Sequence, residues 1–387
     1  MRSLVLSVAV VASACDNGEE PVEADVFNTG SAPNAVVATT CGGDTFLLVP
    51  ASQGAAVDVI SADNGSTREI GLGQGSTPWG VSLLGDDVVG EGGDRLAVVT
   101  GFGTHSLFLI DPCSASTVDA VDVSSRPERV SVAGVRLRND IDGVGRGGDS
   151  ISEMPLMKPE AVVVDDVGGI WATFTNLLEV ADSSGPMEAG AGVLARFVVD
   201  TSTGPPRLAY DRHVELRCQN PQGLATDGAL VVVTCTGTFQ IGDAGFEART
   251  AGGVALYDAD FVEVAHREDV GRSYGTPVIV DGHVVVGDVL GGVVYSYNVA
   301  DLGEFDTQDL GDDNESIFKV LVIDGEVAAL RFLKGDIVFD PFRTGRTRAI
   351  GDARQPPRGL IDLAVDDNGD GWAVFSLSAE LVKVALK

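Results

Sequence analysis

The chain has 387 residues, of which 44% are hydrophobic and only 6% aromatic, with 49 glycines. That is enough apolar material for a large core, arranged either as two or three ordinary domains or as one large repetitive one. A formal net charge of −31 sets the surface against phosphate backbones and argues against a nucleic-acid partner.

The first fifteen residues read MRSLVLSVAVVASAC, with one arginine, a short apolar run, and Ala12, Ser13 and Ala14 ahead of Cys15. The run is too short to span a bilayer as a helix. Small residues before a cysteine resemble the lipobox of bacterial lipoproteins. The resemblance implies a signal peptide over 1–14, cleavage before Cys15, and lipid on its thiol and new amino group. An ordinary secretory signal cut nearby is the other reading. The acidic stretch that follows, DNGEEPVEAD, has the composition of an unstructured tether over 15–25. Asp16 beside Cys15 resembles the inner-membrane retention signal of enteric bacteria. No later segment is long enough to cross a membrane. The expected place is the bacterial cell envelope, outside the cytoplasm, with the lipid as the sole membrane contact.

From residue 26 onward strand-like runs such as LAVVTGF, ALVVVTC and HVVVGD dominate, and no long stretch carries apolar residues at helical spacing. Many runs open on a proline: APNAVVAT, TPWGVSLL, KPEAVVVDD, NPQGLATDG and TPVIVDG, with ESIFKVLVIDG and PPRGLIDLAVDD as looser copies. Asp227-Gly228, Asp281-Gly282 and Asp324-Gly325 then mark tight hairpins, because glycine tolerates positive φ. Each unit predicts a four-stranded antiparallel sheet of about forty to fifty residues, the period of a β-propeller blade. Units begin near Pro33, Pro78, Pro159, Pro221, Pro277, Ser316 and Pro357. VDDVGGIWATF at 164–174 returns as VDDNGDGWAVF at 365–375, four units later. The last unit stops after three strands at ELVKVALK, and the N-terminal EADVFNTG is placed to supply the fourth and close the ring. The expected fold is all-β, a seven-bladed propeller over 26–387. One or two β-sandwiches would leave the repeats unexplained.

LAVVTGFGTHSLFLIDPCSASTV, residues 96–118, resembles the repeat of YVTN-type β-propellers. Val98-Val99-Thr100-Gly101 stands at the signature and Ile110-Asp111 at the strand end that follows. The Asp-Gly hairpins resemble NHL-type blades. The resemblance implies a seven-bladed propeller and little about chemistry, since such folds host many functions.

Four cysteines remain beyond Cys15: Cys41, Cys113, Cys218 and Cys235. An even count outside the cytoplasm suggests disulfides. Cys218 and Cys235 flank one predicted hairpin, which would leave Cys41 with Cys113, but sequence permits three pairings.

Catalytic signatures are missing. His105, His213, His266 and His283 are scattered, and there is no GxSxG, P-loop or CxxC. GVGRGG at 143–148 does not lie between a strand and a helix. Asp366, Asn368 and Asp370 imitate the start of a calcium loop, yet the twelfth position, where a bidentate Glu belongs, is Leu377. The sister turn lacks the Asn and the second Asp, so the reading is a turn, with calcium as a weak alternative and no other cofactor.

In a propeller the first strands line the axis. The residues after the opening prolines, Asn34, Trp79, Glu160, Gln222 and Arg358, with Tyr274, are therefore the expected ligand-binding ring. A divalent metal would want several carboxylates there, from Glu160 and Asp362 beside Asn34. Long connections at 126–157, 176–192 and 236–252 all follow a second or fourth strand, so they should project from the face where the proline-led strands emerge. The expected function is a monomeric, non-catalytic binding module for an envelope protein or extracellular polymer. The alternative is a metal-dependent, lactonase-like hydrolase in the channel.

Overall fold

The computed structural model describes residues 25–386 except 87, 89–93, 142, 179–187, 203, 243–244, 249, 270–272, 312–314 and 351–357. Cys15, the expected lipidation site, and its flanks lie outside the described residues. Seven four-stranded antiparallel sheets follow one another along the chain, with three two-stranded hairpins between or within them. Their first strands are Val37–Cys41, Pro78–Leu83, Pro159–Val164, Pro221–Thr226, Val278–Val280, Ile317–Ile323 and Leu360–Val365.

The ring closes through the chain's own beginning. Strand Val26–Asn28 pairs antiparallel with Glu380–Ala385, with Val26 opposite Val382 and Asn28 opposite Glu380. It is the fourth strand of blade seven, so that blade exposes no unpaired third strand. Phe27 stacks on Trp372 with ring centroids 5.8 Å apart.

Each blade is sandwiched between two others, so its inner strands are apolar on both faces. Every residue of Ala97–Gly101 and Ser106–Asp111 is buried, which is why these strands read as continuous rather than alternating apolar runs. The buried side chains fall into seven clusters, one at each blade–blade interface. The cluster joining Leu47 and Val49 of blade one to Trp372 and Val374 of blade seven completes the circle.

Two disulfides brace the ring. Cys41, at the end of blade one's first strand, is bonded to Cys113 in the last turn of blade two. Cys218, in the connection from blade three, is bonded to Cys235 at the end of blade four's second strand. The first staples two neighbouring blades and closes 72 residues of sequence, a loop length for which closure entropy corresponds to about 4 kcal/mol.

The repeated undecapeptide is a structural device. In blade seven Asp366 Oδ1 accepts from the amides of Asn368 (2.9 Å) and Asp370 (3.0 Å), while Oδ2 accepts from the Trp372 indole at 3.0 Å. In blade three Asp165 Oδ1 accepts from Val167 (3.1 Å) and Gly169 (2.6 Å), and Oδ2 from Trp171 Nε1 at 2.8 Å. One carboxylate thus closes the hairpin and satisfies a buried indole. Gly168 and Gly369 supply the positive φ that the turn needs, +79° and +81°. Asp370 faces Lys383 Nζ at 2.7 Å instead of converging with Asp366. The Asp366, Asn368 and Asp370 donors are therefore not gathered as a calcium shell, and the turn is explained by its own amides. Replacing Asp366 by Ala leaves two amides and a buried indole without an acceptor. Urea unfolding of Asp366→Ala is expected to show a loss of about 2–4 kcal/mol, and Asp165→Ala a similar loss.

Candidate functional site: the central channel

All seven first strands begin with the same irregularity. In blade three Pro159 is opposite Phe174 but Val162 is opposite Ala172, so one extra residue sits on the first strand. The same single-residue bulge occurs in blades two, four, six and seven. In blades one and five it lies between an isolated bridge, Pro33 to Ala51 or Tyr274 to Asp288, and the strand that follows. A bulge sets two residues of one strand against one of its neighbour and re-aims them. Each blade consequently offers two consecutive residues to the axis.

The register identifies them. The bulge-opening position holds Pro33, Pro78, Pro159, Pro221, Tyr274, Ile317 and Leu360. The following pairs are Asn34-Ala35, Trp79-Gly80, Glu160-Ala161, Gln222-Gly223, Gly275-Thr276, Phe318-Lys319 and Ile361-Asp362, and all but Gly223 line one axial cavity of about 490 Å³. Blades one to four put the larger group first and a small residue second. Blade five reverses that order, with Gly275 ahead of Thr276. In blades six and seven an apolar residue leads and the charged one follows.

Four members of the expected ring, Asn34, Trp79, Glu160 and Gln222, line this cavity. Tyr274 does not. It occupies the proline's own position, is fully buried, and its hydroxyl meets that of Tyr297 at 2.6 Å. Arg358 does not either. Leu360, two residues later, takes the proline's register, and Arg358 lies exposed with its amide 3.3 Å from Ser378 Oγ. Thr276, Phe318, Lys319 and Ile361 were not singled out by the proline rule, because blades five to seven lack a proline at the bulge. Counting back seven residues from the Asp-Gly turns at Asp281 and Asp324 reaches Tyr274 and Ile317 and would have found the first three.

The wall is polar but not uniformly free. Asp362 is buried and spans two joints: Oδ2 accepts from the Val36 amide of blade one at 3.0 Å, and it forms an ion pair with Lys319 of blade six. Its other oxygen also accepts from Leu363 N at 2.6 Å. Across the channel, Glu160 is 3% exposed, and its carboxyl has no hydrogen-bond partner among the described residues. Burial pushes that carboxyl up to about 8, against the opposing pull of the Lys158 ammonium. Asn34 Nδ2 is likewise buried without a partner. Trp79 is 36% exposed and leans against Phe102 at 6.1 Å.

Among the described residues no three His, Cys, Asp or Glu side chains gather as a ligand group. Asp362 is committed to Lys319 and two amides, and none of the four histidines lines the cavity.

The long connections form structured hairpins, Arg129–Arg136 with Ser150–Pro155, Leu177–Leu178 with Glu188–Ala189, and Phe239–Gly242 with Gly245–Ala248. The first follows a fourth strand and the others follow second strands, so strand alternation puts all three at the end of the ring where the first strands begin.

No family model matches the chain, and no curated protein matches it. Solved structures do. A chain of hydrazine synthase from Kuenenia stuttgartiensis is similar with a TM-score of 0.60 at 11% identity, covering 96% of this chain and 99% of its own. Virginiamycin B lyase from Staphylococcus aureus gives 0.54 at 10% identity, covering 94% and 99%. A chain of a mitotic checkpoint complex gives 0.58 at 11%, covering 98% and 100%. At such identities the likeness shows the β-propeller fold alone.

Glu160 has a consequence for stability. The folded protein holds this proton up to about pH 8, whereas the unfolded chain releases it near the ordinary 4.5. Between those values the unfolded state binds fewer protons, so stability falls as pH rises, by up to about 5 kcal/mol in total. Glu160→Gln has no proton to lose. Its stability relative to wild type is expected to rise steadily from about pH 5 to about pH 8 in urea melts; parallel curves would show that Glu160 is not held protonated.

Proposed function

We propose that this chain is a non-catalytic binding module of the bacterial envelope, a YVTN/NHL-like propeller tethered by lipid on Cys15, that takes its partner on the hairpin-bearing face. The carrying observation is that this face is built rather than loose. Ala191 N donates to Ser131 O at 3.1 Å, which ties the blade-three hairpin to the one between blades two and three. Asn176 Oδ1 accepts from Met157 N at 2.9 Å, and its Nδ2 donates to Ala191 O at 2.7 Å. Val130, Val135 and Met154 of the inserted hairpin share one buried cluster with Phe174 and Leu178 of blade three. Insertions that are only tolerated drift have no reason to acquire a common core; a preorganised surface lowers the entropy lost on binding.

The propeller neighbours support a binding role without requiring it, since they include both an enzyme and a member of a multiprotein complex. The alternative, a metal-dependent hydrolase, needs several carboxylates around one ion, and among the described residues the channel offers Glu160 alone with its carboxyl unpartnered.

The test is affinity capture from the native envelope with the intact lipidated protein and with a version whose hairpin tip, 138–148, is replaced by a short Gly-Ser linker. The intact protein is expected to capture a partner that the variant loses while melting at an unchanged temperature. The same captured set from both, or none from either, contradicts the proposal.

A further inference from the structure

We propose that the axial cavity is a binding site for a neutral saccharide, with Asn34, Glu160 and Gln222 meeting its hydroxyls and Trp79 stacking on a sugar ring at the mouth. The inference goes beyond the partner face described above and does not depend on it.

The site is marked by the polar atoms that the protein leaves open. Asn34 Nδ2 is a buried donor with no acceptor. The Glu160 carboxyl is buried with no hydrogen-bond partner among the described residues. Leaving a buried polar group unsatisfied is costly, so the Asn34 amide together with the unengaged Glu160 carboxyl marks a place where a ligand completes the bonding. One group needs an acceptor and the other takes a donor. A hydroxyl provides both functions, and a polyhydroxylated ring provides several.

Charged ligands fit less well. An anion would need a free cation, but Lys319 is paired with Asp362 and Lys158 is engaged as well. An organic cation would find the Glu160 carboxyl but also Lys158, whose ammonium acts on that same carboxyl and lies 4.5 Å from the Phe102 ring beside Trp79. Such a cation would also leave Asn34 Nδ2 unanswered. The half-exposed Trp79 indole supplies the flat apolar face that the C–H side of a sugar ring requires. The cavity volume of about 490 Å³ lies within the range of small-ligand pockets and admits a mono- or disaccharide.

The experiment uses the full mature chain with glucose, galactose, N-acetylglucosamine and cellobiose as probes, followed by saturation-transfer NMR and calorimetry. Ethylammonium and inorganic phosphate serve as charged comparisons. At least one sugar is expected to bind, and Glu160→Leu, which keeps volume but removes the carboxyl, and Asn34→Ala should each weaken it about tenfold, the worth of a hydrogen bond. Trp79→Ala, at a half-exposed site that does not threaten folding, should weaken it as well. The hairpin-tip variant should bind sugar normally, so loss of the partner face and loss of the channel site are separable. The proposal is overturned if no sugar binds, if sugar binding survives all three channel substitutions, or if ethylammonium or phosphate binds where the sugars do not.

Discussion

Seven backbones converge on one axis, and there is little room between them. A Cβ at Gly80 would stand 2.6 Å from the Glu160 carbonyl of the next blade, and one at Gly275 would stand 2.2 Å from the Phe318 carbonyl. These contacts are made through hydrogen bonds as well as proximity. Thr100 Oγ1 accepts from Gly80 N at 2.7 Å and donates to Glu160 O at 2.8 Å, and Thr234 Oγ1 donates to Gly275 O at 2.5 Å. Thr100 of blade two's second strand therefore holds a bulge in one blade and the first strand of another. Close approach, bulge and bridging hydroxyl form one device, and the channel wall follows from it.

That device limits where chemistry can sit. Each blade has two axial positions, and where neighbouring backbones touch, one of them must be small. Blades one to four use the first position for Asn34, Trp79, Glu160 and Gln222 and fill the second with Ala or Gly. Blades six and seven use the second, and their charges are spent on each other as Lys319 and Asp362. The structured hairpins lie around blades two to four, the part of the ring that holds Glu160, while Asn34 belongs to blade one. In blades five to seven the corresponding second-to-third-strand connections are short turns. One half of the molecule is thus elaborated, and the other mainly completes the circle.

Much of this was legible in the sequence. Period, Asp-Gly turns and the missing fourth strand led to seven blades and to the closing strand, because each reflects a local rule of strand and turn geometry. The proline rule located four channel residues because proline there needs no amide hydrogen bond and pre-sets φ. Arg358, which follows Pro357, and Tyr274 lie off the cavity because the bulge, not the proline, defines the position, and a bulge depends on register with the second strand. The part that Asp366 plays in its turn was hidden from sequence for a related reason. The Asp366 carboxylate is held by amides two and four residues on and by an indole six residues on, and only the folded hairpin shows that its oxygens are occupied.

The central claim is that backbone contact at the axis shapes both fold and site. It is tested most directly by comparing urea unfolding of Gly275→Ala with that of Gly71→Ala. Gly71 lies on an outer strand with nothing within 4 Å of its added Cβ. Gly275→Ala is expected to lose several kcal/mol, since its Cβ meets only backbone that has nowhere to move, while Gly71→Ala should stay within about 0.5 kcal/mol of wild type. Equal, small effects at both positions would contradict the account.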